Sequence, residues 1–412
     1  MRASHMNRAA KLLLVGSMLT WACACGGSGG GASGGPHPPT YSFSVLHGFT
    51  GPDGARPWAT LVRDAAGNLY GTTSAGGTFD NGTVFKLDPQ GNETVLHNFT
   101  GGADGSFPAE GELALDAAGS LYGATDVGGS GQFGVVFRLD GTGTETVLYN
   151  FTGGLNGGGP HGSVVFDAAG NLYGTAQVGG DISCSAFGCG VVFKLDMAGN
   201  ESVLHSFHGG ADGVQPVGNL LLDKSGSLYG VTFSGGSAGK GVVFRIDPAG
   251  NETVLHTFTG PDGDTPSTAL VQDSNGNLYG TTEGGGAHSH GTVFKIDPAG
   301  NETVLYSFTG MLDGNAPIGK LALDSKGNIF GTTDSGGNST NCAFGCGVVF
   351  KLDSTGKQTV LHNFVGTDGA QVLGLILDSQ GNLYGTASAG AAMSCDGFTS
   401  QCGSAFKLTL MP

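Results

Sequence analysis

The chain has 412 residues, of which 80 are Gly, and its formal net charge at pH 7 is −16. Lys and Arg total 17 against 33 Asp and Glu, a balance that argues against nucleic acid and anionic membrane surfaces as partners. The glycines lack the three-residue period of collagen. They recur at fixed places in a longer repeat, which indicates turns.

The first 40 residues are typical of an export signal followed by a linker. Basic residues precede the apolar run 12–19, which is too short to span a membrane. Cys25 follows small residues and resembles the lipidated Cys of bacterial lipoproteins; Cys23 fits that pattern less well, and an ordinary cleaved signal is the alternative. We therefore predict secretion across the inner membrane, as an outer-membrane lipoprotein or an extracellular protein. The predicted segments are a signal peptide at 1–25, a Gly/Ser/Pro tether at 26–40 and a folded domain at 41–412.

The rest of the chain is a tandem repeat. Its marker is the segment 68–73, Asn-Leu-Tyr-Gly-Thr-Thr, whose aromatic position recurs at 70, 122, 173, 229, 279, 330 and 384. The steps between these positions are 50 to 56 residues. A near-constant period of this size predicts a repeat fold.

Each repeat contains four short strands. In the first copy, β-branched, aromatic and aliphatic residues fill 61–64, 69–73, 83–88 and 94–99, separated by Asp-x-x-Gly turns or a Gly-rich connection. No window has helical periodicity. Four antiparallel strands per repeat form one blade of a β-propeller. We label the strands a to d from the central channel outward.

The two ends of the chain predict closure of a ring. Residues 41–50 match strand d alone, and the last copy supplies only strands a to c, ending at 405–408. The N-terminal strand should therefore complete the C-terminal blade, which protects the strand edges. The predicted fold class is all-β, a seven-bladed β-propeller closed in this way.

The repeat also carries a family resemblance. Its pattern of Val-Leu-His-x-Phe-Thr-Gly, Asn-Leu-Tyr-Gly-Thr-Thr and Gly-Val-Val-Phe-Lys-Leu-Asp resembles the tandem GloVer repeats of bacterial choice-of-anchor surface proteins, over residues 41–408. The resemblance implies a repeat protein with varied anchoring and implies no established activity. The signature residues of WD40 and Kelch repeats are missing.

Variation between blades indicates which face of the ring has a function. The a–b and c–d turns, on one face, are nearly uniform, whereas the b–c connections, on the other, differ in length and content. Around the channel mouth on that b–c face, certain positions differ between blades although their neighbours recur, which is typical of a ligand site. Free drift of exposed positions is the alternative. The candidate ligand-binding residues are Trp58, Glu110, Glu112, Asp126, His161, Phe233, Glu283, Lys320 and Asp334.

Six cysteines occur as close pairs in three b–c connections, which predicts local disulfides and an oxidising compartment. Zinc is the alternative, but it requires four converging ligands, and the pairs belong to blades three, six and seven. We predict no metal site. The predicted disulfides join Cys184 to Cys189, Cys342 to Cys346 and Cys395 to Cys402.

Three functions remain open. The leading hypothesis is a non-catalytic binding module for a glycan or protein, in which Trp58, His161 and Phe233 stack on the ligand and carboxylates accept hydrogen bonds. The alternatives are an extracellular enzyme acting on carbohydrate or lactone, with Glu110, Glu112 and a channel cation, and a structural surface protein. No nucleophile elbow or His-Glu-x-x-His run supports the enzyme. We predict no cofactor, a monomer, and membrane contact only through a lipid anchor.

Overall fold

The computed structural model describes residues 40–108, 111–390 and 402–411. The predicted signal peptide with Cys25, the tether up to residue 39, Glu110 and Cys395 lie outside these residues. Within them, seven small antiparallel sheets account for the regular structure, together with one 3-10 turn at Gly210–Asp212. None of the helical structure in this part of the chain has the length and apolar composition needed to cross a membrane.

Each sheet is one blade, with strands in the order a, b, c, d. Strands a are Val62–Arg63, Ala114–Leu115, Val165–Phe166, Val214–Leu222, Val271–Gln272, Ala322–Leu323 and Ala370–Leu377. In blades two and five, the short strands Ser106–Pro108 and Asp264–Pro266 also pair with strand b. Strands b are Leu69–Thr73, Leu121–Val127, Leu172–Ala176, Leu228–Ser234, Leu278–Gly284, Ile329–Thr332 and Leu383–Ala389.

The outer half of each blade is the most regular part of the repeat. Strands c are Thr83–Leu87, Val135–Leu139, Val191–Leu195, Val242–Ile246, Thr292–Ile296, Val348–Leu352 and Ser404–Leu410. Strands d are Glu93–Asn98, Glu145–Asn150, Glu201–Ser206, Glu252–Thr257, Glu302–Ser307, Gln358–Asn363 and Tyr41–Gly48.

The ring closes as the sequence predicts. Strand Tyr41–Gly48 pairs antiparallel with Ser404–Leu410, so that Tyr41 lies opposite Leu410 and Gly48 lies opposite Ser404. The N-terminal strand is thus strand d of the seventh blade. The predicted seven-bladed β-propeller and its mode of closure are confirmed.

The repeated motif encodes contact between blades. Gly280 pairs with Phe294 on the next strand, and a Cβ atom at Gly280 would lie 2.6 Å from Cζ of that ring. The Phe294 ring also meets Phe258 of the preceding blade edge to face, with 5.1 Å between the ring centroids. Equivalent pairs occur at all seven interfaces, with centroids 4.9 to 5.2 Å apart. The glycine of Leu-Tyr-Gly is therefore required because the phenylalanine of the interface lies over it.

Repeated polar residues stabilise the turns. In the fifth blade, Asp273 accepts hydrogen bonds from the backbone and side-chain amides of Asn277, at 2.9 and 2.7 Å, and from the Tyr279 hydroxyl at 3.1 Å. On strand d, His256 Nε2 lies 3.0 Å from Asp262 of the following Asp-Gly turn. These side chains therefore form their hydrogen bonds with the turns themselves, which indicates a structural role.

Two of the three predicted disulfides are present. Cys184 is bonded to Cys189, and Cys342 to Cys346. The third pair stays a prediction because Cys395 lies outside the described residues.

Candidate functional site

A backbone hydrogen bond to the preceding blade, repeated around the ring, positions the chain as it enters the channel mouth. In the fifth blade, Thr265 has φ +61°, and its N–H donates to the carbonyl of Lys240 in the preceding blade at 3.0 Å. The next residue, Pro266, packs on Gly241, where a Cβ atom would lie 2.6 Å from Pro266 Cδ. A left-handed conformation costs a non-Gly residue on the order of 1 kcal/mol, so the packed interface must hold it in place.

The same inter-blade hydrogen bond occurs at all seven interfaces, at 2.8 to 3.3 Å. Its donors are Arg56, Phe107, Gly159, Gln215, Thr265, Ala316 and Gln371. The sequence reasoning missed these residues. The available signal was the Pro that follows in six of the seven repeats, namely Pro57, Pro108, Pro160, Pro216, Pro266 and Pro317. Two residues beyond six of these donors, the chain reaches the cavity at the channel mouth, at Trp58, His161, Val217, Ser267, Ile318 and Leu373.

A cavity of about 450 Å³ occupies this channel mouth. All seven blades contribute to its lining. The structure brings seven of the nine candidate residues together there. Of the other two, Asp126 is not part of the lining, and Glu110 lies outside the described residues. The candidates in the lining are Trp58, Glu112, His161, Phe233, Glu283, Lys320 and Asp334.

The inner segments of neighbouring blades approach one another closely along the cavity lining. A Cβ atom at Gly111 would overlap the backbone of Ser163 and the side chain of Asn219, and one at Gly374 would overlap Thr60. Asn219 accepts from the Ser163 N–H at 2.8 Å and donates to the Glu112 carbonyl at 3.2 Å, which ties blades two, three and four together. This part of the cavity lining is therefore a hydrogen-bonded layer that only glycine permits at its closest approaches.

An ion pair spans the channel at this level. Lys320 Nζ lies 2.5 Å from Glu112 Oε2, although the two residues are 208 positions apart in the chain. They belong to blades six and two, which lie on opposite sides of a seven-membered ring. Both side chains are partly buried, with 32% and 18% exposed, so solvent weakens their charged hydrogen bond less than it would at an open surface. The negative charge of Glu112 thereby balances the positive charge of Lys320 within the site.

Two acidic candidates have altered acidity. Burial raises the pKa of Asp126, an effect partly offset by the charge of His161. Burial likewise raises the pKa of Asp334, partly offset by a hydrogen bond from Gln371. Asp126 is not part of the cavity lining, and its carboxyl group interacts electrostatically with His161, which is. Carboxyl groups with raised pKa values at a concave surface are an indicator of function.

The remaining lining is apolar or aromatic. Trp58 is half-buried, and the Phe233 side chain is 40% exposed. Buried Val217 and Leu373 complete this part of the wall. Among the residues that the structure describes, no group of three or more His, Cys, Asp or Glu side chains is placed to hold a metal ion. The arrangement can bind a ligand through aromatic faces and hydrogen-bond acceptors.

Comparisons with known proteins identify the repeat and the fold. A model of the Gloeobacter/Verrucomicrobia repeat matches residues 15–220 and 182–400. No curated protein sequence matches the chain.

Solved structures share the architecture. Virginiamycin B lyase from Staphylococcus aureus is similar with a TM-score of 0.59 and 12% identity, over 90% of this chain and 100% of that one. The extracellular domain of a protein described as a hybrid two-component system from B. thetaiotaomicron has a TM-score of 0.55 and 13% identity, over 90% of this chain and 41% of that one. At such identities the likeness shows the fold alone.

Proposed function

The chain belongs to the Gloeobacter/Verrucomicrobia repeat family, and from that premise and the form of its cavity we propose that it is a non-catalytic module that binds a glycan at the channel mouth. The observation that carries the proposal is the cavity itself, in which Trp58, His161 and Phe233 stand among carboxylates. Its volume of about 450 Å³ falls in the range of roughly 300 to 1,000 Å³ for small-molecule sites. An extracellular location accompanies the proposal and is supported by two disulfides.

The chemistry of the lining suits a sugar. Aromatic faces stack on the apolar C–H face of a pyranose ring, and carboxylate oxygens accept hydrogen bonds from its hydroxyl groups. The inter-blade hydrogen bonds hold the backbone of the inner segments, which carry Trp58 and His161, in place before a ligand arrives. A pre-formed site loses less conformational entropy on binding.

The second candidate is an extracellular enzyme acting on carbohydrate or lactone. Glu112, one of the two carboxylates that the sequence suggested for catalysis beside Glu110, is paired with Lys320 and is poorly placed to act as a general base. The observation that favours an enzyme is instead the raised pKa of Asp334 in the cavity lining, because a raised pKa suits a carboxyl group to general acid catalysis. Turnover of a bound glycan would support this candidate.

The test is binding of the purified mature chain to a glycan array, followed by titration calorimetry with the best ligand. Trp58→Ala should weaken binding by about tenfold or more, the effect expected from the loss of one stacking contact and its buried area. The matched control is Phe79→Ala, which removes a 53% exposed aromatic ring that is not part of the cavity lining. Binding that survives Trp58→Ala, or that Phe79→Ala abolishes equally, would refute the cavity as the site.

A further inference from the structure

We propose that the glycan bound at the channel mouth carries protonated amines, as in an oligosaccharide of unacetylated amino sugars. This inference rests on the proposed function, and it adds the charge class of the ligand. It follows from the order of side chains around the mouth and from the balance of charges within it.

The first observation is a row of equivalent positions on consecutive blades. The residue that follows the segment of an aromatic residue, Gly and two further residues on strand b is Phe233 in blade four, Glu283 in blade five and Asp334 in blade six. All three side chains line the cavity. Because the blades are related by rotation about the channel, an aromatic ring and two carboxylates stand side by side on one arc of the mouth. An ammonium group is attracted both by the face of an aromatic ring and by carboxylates.

The second observation is the charge balance of the described lining. Its carboxylates are Glu112, Glu283 and Asp334, and Lys320 is its single Lys or Arg side chain. Since Lys320 is paired with Glu112 across the channel, these two charges cancel within the site. The two carboxylates of the arc then set its sign, and Asp126 adds a further acidic group that interacts electrostatically with His161 of the lining. An acidic ligand would meet repulsion, and a neutral one would leave this field unused.

The third observation concerns the surroundings of the arc. Buried Val217 and Leu373 belong to the same cavity wall, so electrostatic interactions there are stronger than in open water. Burial raises the pKa of Asp334, and a cation nearby would offset that effect. The net charge of −16 on the whole chain also favours the approach of a cationic ligand.

The experiment compares two matched probes by titration calorimetry with the mature chain: a glucosamine oligomer and the N-acetylglucosamine oligomer of equal length. At a pH where the amines are protonated, the glucosamine oligomer should bind about tenfold more tightly. Raising the salt concentration from about 50 to 300 mM should reduce this preference.

Variants assign the preference to the arc. Glu283→Gln combined with Asp334→Asn should remove the preference, because each amide keeps an acceptor oxygen and loses the negative charge. The matched control is Asp181→Asn, which removes one negative charge from a b–c connection outside the cavity and keeps an oxygen that can accept the Ser183 N–H. Phe233→Ala, which removes a 40% exposed ring, should weaken the amine oligomer more than the acetylated one, and it provides a test if the double variant does not fold.

The outcomes separate this inference from the proposed function. If both oligomers bind equally, if only neutral glycans bind, or if the double variant keeps the preference, the inference is wrong and glycan binding stands. If no glycan binds and a lysine-rich peptide does, both the inference and the proposed function are wrong. An amine preference that the double variant loses and Asp181→Asn retains supports the inference.

Discussion

The interfaces between blades should make the stability of the ring depend on pH. Among the five glutamates that begin strand d, four have a pKa raised to about 7 by burial together with the charge of an Asp of the neighbouring blade. In each of them Oε1 is buried without a hydrogen-bond partner among the described residues. These residues are Glu93, Glu145, Glu252 and Glu302, which face Asp53, Asp104, Asp212 and Asp262 respectively.

The direction of the effect follows from the protons bound. Between the ordinary pKa of 4.5 and the folded value of about 7, the folded chain binds more protons than the unfolded chain, so the free energy of unfolding falls as pH rises. A shift of this size corresponds to at most about 3 kcal/mol for a site shielded from water. At these half-buried positions we expect about 1 kcal/mol each after solvent screening, and about 4 kcal/mol for the four.

Two histidines act in the opposite direction. Burial lowers the pKa of His97 and His205, so the folded state gains stability as pH rises through the unfolded value of 6.5. His47, by contrast, lowers the pKa of Glu93 through its charge. Because the glutamates outnumber the opposing histidines, the net stability should still decrease from about pH 5 to 8.

The assay measures the melting temperature of the purified protein by calorimetry at several pH values between about 5 and 8. Blade six provides an internal control, because its strand d begins with Gln358 instead of a glutamate. The side-chain amide of Gln358 donates a hydrogen bond to the Asp313 carbonyl at 3.2 Å. Changing the four glutamates to Gln should flatten the pH dependence, and Gln358→Glu should steepen it. A melting temperature that stays constant or rises from pH 5 to 8, or a fourfold variant with an unchanged slope, would refute this reasoning.

Two further predictions concern packing and cross-links. Gly280→Ala should destabilise the domain by about 1 to 3 kcal/mol in chemical denaturation, because the added Cβ overlaps the Phe294 ring. Gly141→Ala is the control and should change the stability little, because no atom lies within 4 Å of the added Cβ. Equal effects of the two substitutions would contradict the packing argument. Replacing Cys342 and Cys346 by Ser should cost only about 2 kcal/mol, because the closed loop is short; loss of the native fold, seen by circular dichroism, would show that the disulfide does more than hold its loop.

The site and the fold depend on different parts of the repeat. Residues that recur in every blade, such as the Leu-Tyr-Gly glycine, hold neighbouring blades together. Residues that change from blade to blade, such as Trp58 and Glu283, meet at the cavity. Function in such a ring can therefore change through the variable positions without loss of the fold.

The sequence by itself determined the architecture, because the interactions that build a blade are local and repeated. The turn Asp lies a few residues from the Asn and Tyr that it binds, and Gly280 lies only one strand away from Phe294. Counting strands at the two ends was enough to predict closure. The positions that vary between repeats likewise indicated the channel mouth, because the topology fixes which end of each inner strand faces it.

Only the tertiary structure decided which side chains meet across the channel. Lys320 and Glu112 are 208 residues apart, and nothing in either repeat specifies the other as partner. The same holds for Asp126, which interacts electrostatically with His161 but is not part of the cavity lining. The left-handed residues such as Thr265 were also found only in the structure, since their conformation is imposed by the neighbouring blade. The repeat sets the position of each residue within its blade, whereas contacts across the channel depend on how all seven blades pack together.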